Sequence, residues 1–178
     1  MPVARPSLVL MLTRRLLEIM LLRRGPQDVP YSLSLLVALL VFYMASGVVV
    51  LTTTLTPGQA VANMALDAVM LCVFSYICLA LLNYKARFVQ MVSALAGIGV
   101  LYHLLAWPLF VQIHDVQAQE QSATITALLM LLLISWQVLV FAHVFRHAMQ
   151  MSMMRALALS FGYLFLSMSV AELLLPGS

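Results

Sequence analysis

Charge is scarce in this sequence: 8% of its 178 residues are charged and 64% are hydrophobic, where a soluble domain carries about 25% charged residues. That shortage excludes water as the solvent for most of the chain. Cysteine is nearly absent as well. Cys72 and Cys78 lie six residues apart in one apolar run, which turns them about 240° apart on a helix. They cannot bridge within it, and neither a disulfide framework nor a metal-type CxxC spacing is present; ordinary thiols among apolar neighbours are expected. There is no HEXXH, no nucleophile elbow, no phosphate-binding glycine loop and no paired catalytic carboxylates. The residues therefore read as a non-enzyme, with no cofactor and no metal. Nor is there a basic pattern interleaved with stacking aromatics, which argues against nucleic acid as a partner.

What the chain does contain is long apolar runs, at about 33–55, 61–82, 91–113, 123–145 and 153–175. Each is long enough to cross a ~30 Å hydrocarbon layer as a helix that satisfies its own backbone hydrogen bonds. The fold class expected is all-α: a five-span membrane domain over 31–178, preceded by an amphipathic interfacial segment over 1–30. Within that segment, residues 7–24 gather Ser7, Arg14, Arg15 and Glu18 in one helical sector, with Leu and Met over most of the remainder. Such a helix suits the headgroup boundary of an anionic leaflet, the alternative being a solvated helix docked on other protein. Arg14 and Glu18 are spaced for an i,i+4 pair. Arg23 and Arg24 interrupt the run and no small-residue cleavage site follows, so a cleaved leader is not expected.

The nine Lys and Arg fall in three clusters outside the spans. Arg5, Arg14, Arg15, Arg23 and Arg24 precede the first span, Lys85 and Arg87 follow the second, and Arg146 and Arg155 flank the turn after the fourth. All lie on one side if the N-terminus is cytoplasmic and the C-terminus is outside. The expected place is thus a bacterial inner membrane, with a periplasmic C-terminus. Arg14, Arg15, Arg23, Arg24, Lys85, Arg87, Arg146 and Arg155 would form one basic cytoplasmic face for anionic lipid, for a membrane-protein partner or for a second copy of the chain.

Inside the spans, Asp67 is the sharpest candidate. A carboxylate about two turns below the outer end of the second run is costly unless paired or hydrated. His103, mid-way along the third run, and Glu172, near the outer end of the fifth, are its candidate companions, with His114 and Asp115 just outside. Together they would make an outer pocket for a cation or protons. The structural alternative is that Asp67 bonds Asn63, His103 or a helix backbone. His143 and His147 share a face at the inner end of span four, a spacing compatible with metal ligation but without further ligands; an interfacial pair facing lipid phosphates beside Arg146 is expected instead. Pro108 is expected to kink its helix. Small residues at i,i+4 spacing, such as Ser93/Gly97 and Ala158/Gly162, predict that spans three and five form the packed centre. Gln90-Met91 and Gln150-Met151, each followed by Ala-Leu-Ala and Gly, hint at a duplicated hairpin.

The basic turn running into Arg87-Phe88-Val89-Gln90-Met91, the small-residue helix through Gly97 and Gly99, Trp136, and the turn from Arg146 to Ala156 together resemble the bacterial branch of the Yip1-like integral membrane proteins. That resemblance implies a five-helix membrane domain without assigned catalytic residues. Its eukaryotic branch is associated with vesicle trafficking and small GTPases, but this chain lacks the long soluble N-terminal region that goes with such partners. Three functions follow: a non-enzymatic organiser of lipid or membrane partners through the basic face, a small transporter or channel component that uses Asp67, or an accessory subunit of a larger membrane complex.

Overall fold

The computed structural model describes the backbone of residues 8–118 and 124–175, with side chains over 9–112 and 125–175. Six helices follow in order: α1 Leu8–Met20, α2 Leu33–Leu51, α3 Pro57–Leu81, α4 Phe88–Ala118, α5 Thr124–Met149 and α6 Met153–Leu174. Short 3-10 turns occupy Pro26–Asp28 and Lys85–Arg87, and no strand occurs among the described residues. Helices α2 to α6 are each long and apolar enough to span a bilayer. The chain is an all-α multi-pass membrane protein with five such helices among the described residues.

Their starts are written locally. Ser32 Oγ accepts the Leu35 amide at the head of α2. Thr56 and Gln59 cap α3 reciprocally, with Pro57 at the first helical position where its missing N–H costs nothing. Thr52, Thr53 and Thr54 return their hydroxyls to carbonyls three residues back, so this polar cluster is self-satisfied at the end of α2.

The helix ends at the opposite side share one device. Leu22, Asn83 and Gln150 adopt left-handed backbone, with φ of 60°, 62° and 52°. In each case the following amide reaches back five residues: Arg23 to Glu18, Tyr84 to Leu79 and Met151 to Arg146. This double-turn cap usually takes glycine, and an L-residue there costs roughly 1–2 kcal/mol. Gln150 thus stands where Asn83 stands, in the turn itself, whereas Gln90 lies inside α4. The suggested hairpin duplication, which matched Gln90 with Gln150, is not a structural equivalence.

Helices α2, α4 and α6 run away from this end, and α3 and α5 return. The parallel register of α2 and α4 is set by Leu36 beside Val89 and Val92, and by Ser46 bonded to His103. Between these, a Cβ on Gly99 would overlap the Tyr43 ring. Helix α4 is the hub: every residue from Met91 to Gly99 is buried, as expected only of a helix surrounded on all sides. The small-residue reading was half right. Buried positions make up 39% of the α4 span but 11% of the α6 span, below the 28% of Leu-rich α5. Gly162 faces open space, and only the Ala156/Ser160 face of α6 is buried, where Ser160 Oγ donates to the Val138 carbonyl at 2.9 Å. Helix α4 continues through Pro108 to Ala118, so His114 and Asp115 belong to a helix rather than a loop; their side chains, like all of Arg5 and Ser7, lie outside the described residues.

The amphipathic helix is part of this bundle. Leu16, Ile19 and Met20 of α1 are buried, and Leu16 fills the space a Cβ on Gly97 would take. Trp136 Nε1 of α5 donates to the Met20 carbonyl at 3.3 Å. The apolar stripe expected to meet lipid is thus largely consumed by the protein itself, while Val9, Leu10, Leu17 and Leu21 remain exposed on the helix's other side.

Candidate functional site

Asp67 lies ten residues into α3, about 15 Å from its first residue at 1.5 Å per residue. It therefore sits near mid-span, deeper than the two turns expected, because α3 begins at Pro57 rather than at residue 61. Three hydroxyls from two neighbouring helices converge on it. Tyr43 of α2 donates to Oδ2; Tyr163 and Ser167 of α6 both donate to Oδ1, each at 3.0 Å. Tyr163 and Ser167 are four residues apart and so share a helix face. The carboxyl group clasps α2, α3 and α6 together.

None of these donors was among the expected partners. Asn63 instead turns its amide to the Gln59 carbonyl at 3.0 Å. His103 stands behind Tyr43, its ring stacked on the tyrosine at 5.0 Å between centroids and its Nδ1 2.8 Å from Ser46 Oγ. Asp67 and His103 line one cavity of about 260 Å³ but do not bond to each other. Glu172 is exposed and lines no part of that cavity. It is five residues beyond Ser167, a turn of about 140° around the helix, and so points away from Asp67. The residues missed, Tyr43 and Tyr163, did carry a sequence signal. Tyrosine favours the ends of membrane spans, and one in mid-run needs a partner for its hydroxyl.

The basic end is the second assembly. Arg87 Nη1 donates to the Ala148 carbonyl at 2.8 Å and to that of His147 at 3.3 Å, capping the end of α5, and its guanidinium lies 4.8 Å from the Tyr84 ring centroid. Gln90 Nε2 donates to the carbonyls of Val29 and Gln27 at 3.0 and 3.3 Å, tying the segment after α1 to α4. Tyr84 Oη donates to Gln150 Oε1 at 3.0 Å, joining the two turns. Between these elements is a pocket of about 500 Å³ lined by Arg87, Arg146, His147 and three glutamines.

His143 is not turned to the headgroups. It is buried, and its Nε2 lies 2.8 Å from the Arg24 carbonyl. The rings of His143 and His147 lie 4.2 Å apart, but no three His, Cys, Asp or Glu side chains are grouped to hold a metal among the described residues.

The charges sort clearly. Arg14 pairs with Glu18 at 3.1 Å, as its spacing predicts, and Arg24 pairs with both Glu18 and Asp28. Arg15 Nη1 donates to the Asp28 carbonyl at 2.8 Å. Arg23, Lys85, Arg146 and Arg155 are exposed, and no ion pair engages them among the described residues. Comparison with protein-family models, with curated proteins and with solved structures found no match.

Proposed function

We propose that this is a non-enzymatic protein of a bacterial inner membrane, of the Yip1-like type, that binds anionic lipid and organises membrane partners through a cytoplasmic basic face. One observation carries the reading. Eight described Arg and Lys gather at one end of the bundle against two carboxylates, Glu18 and Asp28, and two of them, Arg87 and Arg146, come from different turns to line a single pocket. Basic turns mark the cytoplasmic side of membrane proteins and attract anionic headgroups at about 1 kcal/mol per residue near the surface. On this reading the N-terminus is cytoplasmic and the C-terminus periplasmic.

The test uses exposed cations that no ion pair engages among the described residues, because Arg87 also holds the fold. In nanodiscs or mixed micelles, the triple variant Lys85→Gln, Arg146→Gln, Arg155→Gln should lose most of the preference for phosphatidylglycerol over phosphatidylcholine seen by native mass measurement. Each charge is expected to contribute about five-fold. An unchanged preference, with the variant folded, would remove the basic face from lipid recognition. The transport reading has less support, since the Asp67 carboxyl already accepts three hydroxyls that bind helices to one another.

A further inference from the structure

The pocket of about 500 Å³ at the basic end is lined by Arg87, Arg146, His147 and three glutamines, Gln27, Gln90 and Gln150. No carboxylate lines it. Several of these side chains are already engaged on one side. Arg87 uses Nη1 on the α5 carbonyls, which leaves Nε and Nη2, an edge of parallel N–H groups suited to gripping a phosphate with two bonds. Gln90 uses its NH2 on the carbonyls of Gln27 and Val29 and keeps Oε1 as an acceptor. His147 donates Nδ1–H to the His143 carbonyl, so its neutral ring keeps Nε2 as an acceptor too. Gln150 accepts the Tyr84 hydroxyl at Oε1 and keeps its NH2 as a donor.

These remaining atoms are open to an incoming group. Among the described residues, the polar side-chain atoms both closed to water and without a partner belong to Ser75, Ser93 and Tyr102, and none to half-buried Arg87, Gln90 or His147. Gln27, Arg146 and Gln150 are exposed. The volume falls within the range of small-molecule sites, about 300–1,000 Å³, so it admits a phosphate together with the alcohol it esterifies. Its depth is that of lipid headgroups: Arg87 directly precedes the first residue of α4, and His147 lies in the last turn of α5, both of them helices long enough to span.

Given a basic face that meets anionic lipid, on which this rests, we propose that the pocket holds the phosphate ester of a small polyol, in the form of a lipid headgroup such as that of phosphatidylglycerol. Two guanidiniums without a carboxylate select an anion, and their planar forks suit phosphate. The same lack of a carboxylate rejects headgroups that end in an ammonium, which would meet Arg87 and Arg146 with no opposite charge to pair it. The neutral wall presents acceptors at Gln90 and His147 and a donor at Gln150. A hydroxyl can answer both kinds, since it donates one proton and accepts others. Pro26 and Met151, also in the wall, give apolar contact to the glycerol that carries the acyl chains.

Phosphatidylserine is the control, because it carries the same net charge as phosphatidylglycerol but has an ammonium and a carboxylate in place of hydroxyls. With the full-length protein in mixed micelles of both lipids and phosphatidylcholine, native mass measurement should find phosphatidylglycerol retained over phosphatidylserine about five- to ten-fold, one hydrogen bond's worth. In the double variant Gln27→Ala, Gln150→Gly that ratio should fall to within about two-fold, while both anionic lipids still outcompete phosphatidylcholine. Glycine suits the left-handed backbone at position 150, so this variant should melt close to the parent despite losing the Tyr84 bond. Equal retention of the two anionic lipids would overturn the polyol headgroup and leave lipid binding by charge intact; no preference for either over phosphatidylcholine would defeat both. A phosphatidylglycerol preference that survives the double variant would place the site elsewhere and overturn the pocket. Saturable binding of glycerol 3-phosphate in phosphatidylcholine micelles, with no phosphatidylglycerol retained, would give the pocket to a soluble ester and overturn the lipid headgroup.

Discussion

Removing the Asp67 carboxyl group should loosen the bundle, and the size of the effect depends on what replaces it. In Asp67→Ala the hydroxyls of Tyr43, Tyr163 and Ser167 lose their common acceptor. Hydrogen bonds between membrane helices average about 0.6 kcal/mol and reach about 1.7, so three lost together should cost about 2–5 kcal/mol. Asp67→Asn is a different case. Its carbonyl can take the place of Oδ1 and keep Tyr163 and Ser167, while its NH2 takes the place of Oδ2 and donates to the Tyr43 hydroxyl oxygen. That variant should lose less than about 1 kcal/mol. Tyr163→Phe alone should cost about 1 kcal/mol, and combined with Asp67→Ala it should add little, because the two changes remove the same bond. Equilibrium unfolding in mixed micelles, followed by circular dichroism, measures all four variants. Alanine and asparagine variants within 0.5 kcal/mol of each other, or additivity in the double variant, would refute the clasp.

Two further outcomes follow from the packing. Arg87→Ala should destabilise by about 1–3 kcal/mol in the same assay, through loss of the charged donor to the two α5 carbonyls; Arg87→Lys should recover less than half, because an ammonium supplies neither the planar fork nor the stacking on Tyr84. Gly97→Val should displace Leu16 and accelerate proteolysis within residues 8–24 at least several-fold, whereas Gly162→Ala, whose Cβ meets nothing, should match the parent or gain up to about 1 kcal/mol from helix propensity.

The spans were legible because hydrocarbon thickness and backbone hydrogen bonding leave a chain of this composition few alternatives. Their order was legible too, since Lys85, Arg87, Arg146 and Arg155 mark the same end of alternate connections. The partners of Asp67 were not legible, because contacts between helices depend on rotation about each axis, which uniform Leu and Val runs do not encode. The clue lay in Tyr43 and Tyr163, polar residues at depths where tyrosine has no water to reach. The centre of the bundle was misjudged for a related reason. Small residues permit close approach but do not compel it: Gly99 is closed upon by Tyr43 and Gly162 by nothing. The three left-handed turn residues gave no sign either, since none is glycine and the cap is imposed by the tertiary turn.

The docking of α1 changes how the basic end must be approached. A helix resting on lipid could be removed with little effect on the rest, and its deletion would report on recruitment alone. Here Leu16, Ile19 and Met20 belong to the core, and the carbonyls of Met20 and Arg24 receive Trp136 and His143. Deleting residues 1–24 would uncover Gly97 on the hub helix and leave the ring nitrogens of half-buried Trp136 and buried His143 without these acceptors, at about 1–3 kcal/mol for a buried donor. It would also strip Asp28 of Arg24 and remove five arginines together with Glu18, changing the charge of the same face. A loss of lipid or partners after that deletion would report damage to the bundle as readily as loss of a recruiting surface. Arg23, Lys85, Arg146 and Arg155 are free of both entanglements: they are exposed and pair with no carboxylate among the described residues. The charges that can be removed without disturbing the fold are therefore the ones on which the lipid-binding reading stands or falls.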